Sequence, residues 1–288
     1  MGKIKIILDR IRAVTATKKI TQAMKMVSVS NLNKLKERKK KESAYIEDYT
    51  RLYDELTATM EVNALPVFFG ERTVKRVIII CFTTERGLCG PFNQHVLKRA
   101  SDAYTAYKSE GIDVDILPVG RKGFEFFHRK NIACITDYME IKSDKSSEKL
   151  KEMIDFLSDA FEKEVYDMVR LVYQPSKVAD KEKVRWVQLF PMIKPELSTH
   201  KDSDFYAYEA SKGDIVATMT PHAMVLKLYK HWLTSTIAEE SMRMLVTSQA
   251  SENADKALKK LRCRYNKLRQ SEITKSLSEI MAGMHAMD

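Results

Sequence analysis

The sequence predicts an α/β protein: an antiparallel coiled coil of long N- and C-terminal helices plus a central Rossmann-like α/β domain with a mostly parallel sheet. Three observations predict it. All seven prolines lie between Pro66 and Pro221, and seven of the nine glycines lie between Gly70 and Gly213. Proline costs about 3 kcal/mol inside a helix and glycine about 1 kcal/mol, so two terminal stretches have been kept almost clear of both. Those stretches carry apolar residues at three-and-four spacing, and the segment between them alternates strand-like and helix-like runs. The partition is 1–65 N-terminal coiled-coil helix, 66–212 central α/β domain, 213–288 C-terminal coiled-coil helix.

The first helix runs from Lys3 to about Ala64. Ile4, Ile7, Ile11 and Val14 mark one face, and Leu32, Leu35, Tyr45, Tyr49, Leu52 and Leu56 resume it. Between them "VTATKKITQAMKMVSVSNL" (Val14–Leu32) offers mostly Ala, Met and Val, interrupted by Lys18, Lys19 and Lys25. The second helix is expected to start near Thr220-Pro221, with threonine as N-cap and proline at the first helical position. Val225, Leu228 and Trp232 follow at helical spacing, and Leu258, Leu261, Tyr265 and Leu268 form a 3-4-3 seam. Each helix would be about 90–100 Å long, too long for a compact domain of this mass. Such helices need a partner; each is the other's, and the intervening domain returns the chain so that they run antiparallel.

The middle reads as follows. "VKRVIIICF" (74–82) is a buried strand, and "FNQHVLKRASDAYTAYKSEG" (92–111) is a helix ending at Gly111. "VDILPVG" (114–120) is a strand, "KGFEFFHRK" (122–130) a short helix and "IACITDY" (132–138) a strand or extended segment. A helix over 146–164 is expected to be capped by Ser146 or Ser147. Strands over 166–176 and 183–192, joined by "KVADKE", form a hairpin. The alternation before the hairpin predicts βαβ units.

The net charge of +10 belongs to the ends: +7 over residues 1–55, +4 over 212–288 and −1 between. Basic ends suit an anionic partner, whether nucleic acid, membrane surface or acidic protein; a run such as "KERKKKE" (36–42) can also serve only as a solvated face. No apolar run reaches the length of a membrane span, and the start is not a secretory signal. Cys81, Cys89, Cys134 and Cys263 form no C-x-x-C pair and sit near no histidine at metal spacing, so free thiols and no metal site are expected. "TTERGLCGPFN" (83–93) lies between strand and helix, where a dinucleotide fold puts its phosphate loop. It lacks the third glycine and the Walker Lys-Ser/Thr, so Gly87 and Gly90 are read as a strand-to-helix turn, with no cofactor.

Four stretches, in order, resemble the gamma subunit of F-type rotary ATP synthase, its central stalk. They are "RIRAVTATKKITQAMKMVS", "TTERGLCGPFN", "EESMRMLVTSQASENADKAL" and "RYNKLRQSEITKSLSEIMAG". Glu85 stands where the family usually has Asp, Pro91 where Gly is common, and Ser276 at the first of two acidic positions, while Glu279 keeps the second.

The resemblance implies a non-catalytic shaft that turns inside a ring of alpha and beta subunits and couples rotation of the membrane c-ring to the beta-subunit catalytic sites. Eleven of fifteen methionines lie in 1–65 or 215–288; small residues and pliable methionine give a surface with shallow wells, fit to face several equivalent partners in turn. The resemblance places Arg269, Gln270, Thr274 and Glu279 against a beta-subunit loop. It places Met24, with Lys18, Lys19 and Lys25 nearby, against an acidic helix-turn-helix of beta. Tyr206, Tyr208 and Glu209 are implied to meet the rotor ring and an epsilon-type subunit. No catalytic residue and no nucleic acid partner are implied. The expected location is peripheral, on the cytoplasmic face of the bacterial inner membrane, or on the matrix face for a mature organelle form. The rival readings are a basic coiled coil that binds nucleic acid and a nucleotide-binding enzyme that uses the central domain.

Overall fold

The computed structural model describes residues 2–141, 143–175, 184–196 and 210–285. The chain divides into two compact units, Met1–Ser30 with Arg243–Asp288, and Asn31–Met242. Helices α1 (Gly2–Thr59) and α5 (Lys212–His285) contribute residues to both.

The unit Asn31–Met242 holds a four-stranded sheet in the order β2-β1-β3-β4. Strand β1 (Arg76–Phe82) pairs in parallel with β2 (Asp113–Val119) on one side and β3 (Met168–Tyr173) on the other. Strand β4 (Arg185–Phe190) runs antiparallel to β3, as the hairpin pattern predicts. Helix α2 (Phe92–Ser109) connects β1 to β2; α3 (Arg121–Arg129) and α4 (Ser146–Glu162) lie between β2 and β3. The run 132–138 contributes only one bridge, Cys134 to Ile116.

β1 is buried on both faces from Val77 to Phe82, which is why it reads as a continuous apolar run rather than an alternating one. One face packs Val77, Ile79 and Cys81 with Val172, Val96, Leu97, Ala100 and Phe127. In α4, Leu150, Met153, Ile154, Leu157 and Phe161 are buried at helical spacing. Phe161, Phe190 and Phe68 stack at centroid separations of 5.2 to 6.2 Å. The Arg72 guanidinium lies 3.9 Å from the Phe161 centroid.

Two sequence expectations about helix starts are corrected. α5 begins at Lys212, so Pro221 lies inside it rather than at its first position. The cap is Ser211, whose Oγ accepts from the Asp214 amide at 3.1 Å and donates to the Asp214 carboxylate at 2.6 Å. Pro221 cannot donate to the Ala217 carbonyl; the buried side chains of Val216, Met224 and Leu228 hold the helix through that gap. Thr220 instead bonds Val216 O at 2.6 Å. In α4 neither serine caps: Lys145 occupies the cap position without a side-chain bond, and the Ser146 hydroxyl accepts from Arg38.

Candidate functional site

In the unit formed by the two chain ends, α1 and α5 lie antiparallel. Lys18 Nζ pairs with Asp255 Oδ1 at 2.5 Å, and Lys25 Nζ donates to Ser248 Oγ at 3.0 Å. The step from Lys18 to Lys25 matches the step back from Asp255 to Ser248, so both contacts belong to one register. The seam changes chemistry along its length. Ile7, Ala254 and Leu258 are buried apolar positions, whereas Thr21, Ser28, Arg243, Thr247 and Ser251 are buried polar ones. Thr21 and Thr247 satisfy their hydroxyls on their own helix, at Lys18 O (2.9 Å) and Arg243 O (2.7 Å). Lys18 and Lys25 of Val14–Leu32 therefore face the companion helix, while Lys19 is exposed and Ile20, Met26 and Val27 point outward, at 60%, 73% and 54% exposure.

Lys18 and Lys25 are engaged within the chain; Met24 is half-buried and Lys19 exposed. An outside carboxylate reaching Lys18 has to compete with Asp255. That pair is partly exposed, so removing both partners should reveal a coupling of only about 0.5 kcal/mol. A double-mutant cycle of Lys18→Ala and Asp255→Ala in denaturant unfolding measures it; a coupling beyond about 2 kcal/mol would show a pair held far more tightly than its exposure allows.

With Lys18 level with Asp255, the first residue of α1 lies level with Ser271. Among the described residues the last turns of α5 accordingly have no opposite helix in this unit, and every described position from Ile273 to Met281 is exposed. Arg269 and Gln270 sit exposed, level with the start of α1. Thr274 turns its hydroxyl onto Gln270 O at 2.9 Å, and Glu279 pairs with Lys275 at 3.5 Å. Among them Ile273, Leu277 and Ile280 are 51 to 60% exposed and share one face. Sequence reading picked out the polar residues here and missed this apolar stripe. Its signal is the four-three spacing that continues past the point where the first helix can pair with it. Tyr206, Tyr208 and Glu209 lie outside the described residues.

The loop after β1 is the second candidate. It folds on itself: Asn93 Oδ1 accepts from the Thr84 amide at 3.0 Å, and Asn93 Nδ2 donates to Thr84 Oγ1 at 2.7 Å. Leu88 and Gly90 take positive φ, at 62° and 59°, so the Gly90 reading as a turn residue holds. In an open sheet of this order the ligand crevice lies at the carboxyl ends of β1 and β3, where the strand order reverses. Here α5 enters that place. Ala238 packs against Cys89 and Phe92, and the His231 ring lies 4.8 Å from the Tyr173 ring at the end of β3. Residues of α5 thus line the carboxyl ends of β1 and β3. Ala238→Phe should overpack this contact and cost about 1–3 kcal/mol. Thermal unfolding of the full chain reads it; an unchanged midpoint would mean that the crevice has room to spare.

Comparison with known proteins gives one family model, two relatives and two solved structures. A family model described as ATP synthase matches residues 3–287. The ATP synthase gamma chain of Amoebophilus asiaticus is 32% identical over 288 residues, covering 100% of this chain and 99% of the relative. That of Christiangramia forsetii is 33% identical over 289 residues, with 100% of both covered. Among solved structures, a chain of the Euglena gracilis mitochondrial ATP synthase OSCP/F1/c-ring assembly aligns with a TM-score of 0.65 at 16% identity, covering 99% of this chain and 95% of that one. A chain of the Tetrahymena thermophila mitochondrial ATP synthase central stalk/c-ring aligns at 0.56 and 20% identity, covering 81% and 99%. At these identities the structures show a shared fold.

Proposed function

Since the chain belongs to the ATP synthase gamma-chain family, as its central-stalk, non-catalytic member, we propose that it works as a shaft through three specific contact zones. The first is the exposed end of α5. Arg269 and Gln270 contact a beta-subunit loop, Thr274 and Glu279 adjoin them, and Ile273, Leu277 and Ile280 bear on an apolar collar formed by the alpha and beta subunits. The second is the stretch around Met24, where Lys19 is free to approach acidic side chains of beta, and Lys18 and Lys25 can exchange between their internal partners and external ones. The third is the segment with Tyr206, Tyr208 and Glu209, proposed to meet the c-ring and an epsilon-type subunit. On this reading residues 1–65 and 213–288 carry torque, and residues 66–212 form the broad base. The complex holds the chain peripheral to its membrane, and no described helix is long and apolar enough to cross one.

The observation that carries the reading is the stripe of Ile273, Leu277 and Ile280 on the last turns of α5, which have no companion helix among the described residues. Apolar surface of this kind favours burial, at about 25 cal/mol per Å². The test is thiol labelling of Leu277→Cys in the free chain and in the assembled complex, with the exposed Cys263 replaced by serine. Strong protection on assembly is expected; equal labelling in both would overturn the assignment of the tip.

A further inference from the structure

Three elements of the unit Asn31–Met242 meet at one polar node. Arg38 of α1 is half-buried. Its Nε donates to Glu42 Oε1 at 3.1 Å, and its Nη2 donates to the Ser146 hydroxyl at 3.3 Å. Ser146 is the first residue of α4 and is fully buried. The second oxygen of Glu42 accepts from the Tyr229 hydroxyl of α5 at 2.5 Å. The circuit closes through the Arg38 guanidinium, which lies 5.3 Å from the centroid of the Tyr229 ring. Burial and the Glu42 hydrogen bond hold the Tyr229 phenol protonated, with its pKa raised.

The chemistry of the node differs from that of its surroundings. Leu35, Leu228, Trp232 and Leu150 are buried apolar side chains of the same three helices. Apolar packing resists separation, but it is non-directional and permits sliding. Charge-assisted hydrogen bonds are directional and fix angles. Arginine can bond two acceptors in different directions from one rigid plane, which an ammonium cannot do with the same geometry. One arm of Arg38 holds Glu42 for Tyr229, and so ties α1 to α5. The other arm reaches α4, which packs with the sheet.

We propose that Arg38, oriented by Glu42 and Tyr229, is the positioning residue that keys the sheet domain to the two-helix coil at Ser146, so that torque passes between them without slip. The proposal rests on the reading of the chain as a shaft and adds to it the place where coil and sheet domain are locked.

The test uses the full complex in closed membrane vesicles, with Arg38→Met, Arg38→Lys and Tyr229→Phe chains. Three quantities are measured: ATP hydrolysis, ATP-driven ion transport, and hydrogen exchange over Ser146–Leu150. For Arg38→Met, exchange at the start of α4 should rise about tenfold, the step expected from losing one hydrogen bond to a charged group. Ions moved per ATP should fall while hydrolysis persists. Arg38→Lys should fall between Met and wild type. Tyr229→Phe keeps the packing and should reproduce the loss in milder form, which keeps the test decisive if Arg38→Met fails to assemble. Faster exchange with an unchanged transport-to-hydrolysis ratio would overturn the proposal, because the node would then serve stability alone; unchanged exchange would overturn it as well. If the wild-type complex hydrolyses ATP without transport, the shaft reading itself fails, and that outcome is visible before any variant is compared.

Discussion

Gly120→Val is expected to destabilise the sheet domain by about 3 kcal/mol or more, enough to consume much of the stability of an ordinary domain. Gly120 follows β2 with φ 101° and ψ 133°, a conformation that L side chains rarely adopt. A Cβ there would stand 2.3 Å from Thr83 O and 2.8 Å from Thr83 Oγ1. Retreat is blocked, because Thr83 is tied in place: its amide and hydroxyl both bond Val119 O, at 2.8 and 2.9 Å, and the hydroxyl accepts from the Gly123 amide at 3.0 Å. Relief of the clash has to move the end of β1, and with it the loop that seats α5 through Cys89 and Phe92. Chemical denaturation of the full chain reads the effect. A midpoint within error of wild type would refute the account of this turn.

The second large effect is a dependence on pH carried by His231. Its pKa is pushed down to about 4 by burial first, and then by Lys227 and Lys230 on the same helix, from 6.5 in the unfolded chain. Between pH 6.5 and about 4 the unfolded chain binds a proton that the folded chain refuses, so stability falls as pH falls through that window. The contribution is fully present above 6.5 and gone below about 4, a difference of at most about 3 kcal/mol. His231→Phe keeps a ring against Tyr173 and cannot titrate. The gap in unfolding free energy between wild type and His231→Phe should therefore shift by up to this amount between pH 7 and pH 4, in favour of the variant at low pH. Parallel curves would show that His231 is solvated.

Much of this architecture is legible in the residues, for identifiable reasons. The β1 run, the βαβ order and the long breaker-free ends follow from local rules: β-branched residues, period, proline and glycine. The start of α5 misled because Thr220-Pro221 fits a helix entry locally, while burial around Val216 and Met224, a tertiary fact, carries the helix through it. The weak middle of α1 was visible as a lack of Leu and Ile. That Lys18 and Lys25 turn inward to Asp255 and Ser248 depends on a register that neither helix encodes alone. Arg38 was hidden inside "KERKKKE", a run that reads as solvated surface. Its position three residues after Leu35 and four before Glu42 placed it on the inner face, yet its partners Tyr229 and Ser146 lie far along the chain. The apolar stripe at Ile273, Leu277 and Ile280 reads as more coiled-coil seam until the length of the opposite helix is known.

The central claim is that this chain turns relative to the subunits that handle the nucleotide and makes or breaks no bond itself. It is tested by immobilising the catalytic head and attaching a bead to Arg99→Cys, an exposed position on α2, with the exposed Cys263 replaced by serine. On adding ATP the bead should rotate stepwise in one direction, and it should stop when ATP is withdrawn. A bead that stays fixed to the head while ATP is hydrolysed at the full rate would contradict the account.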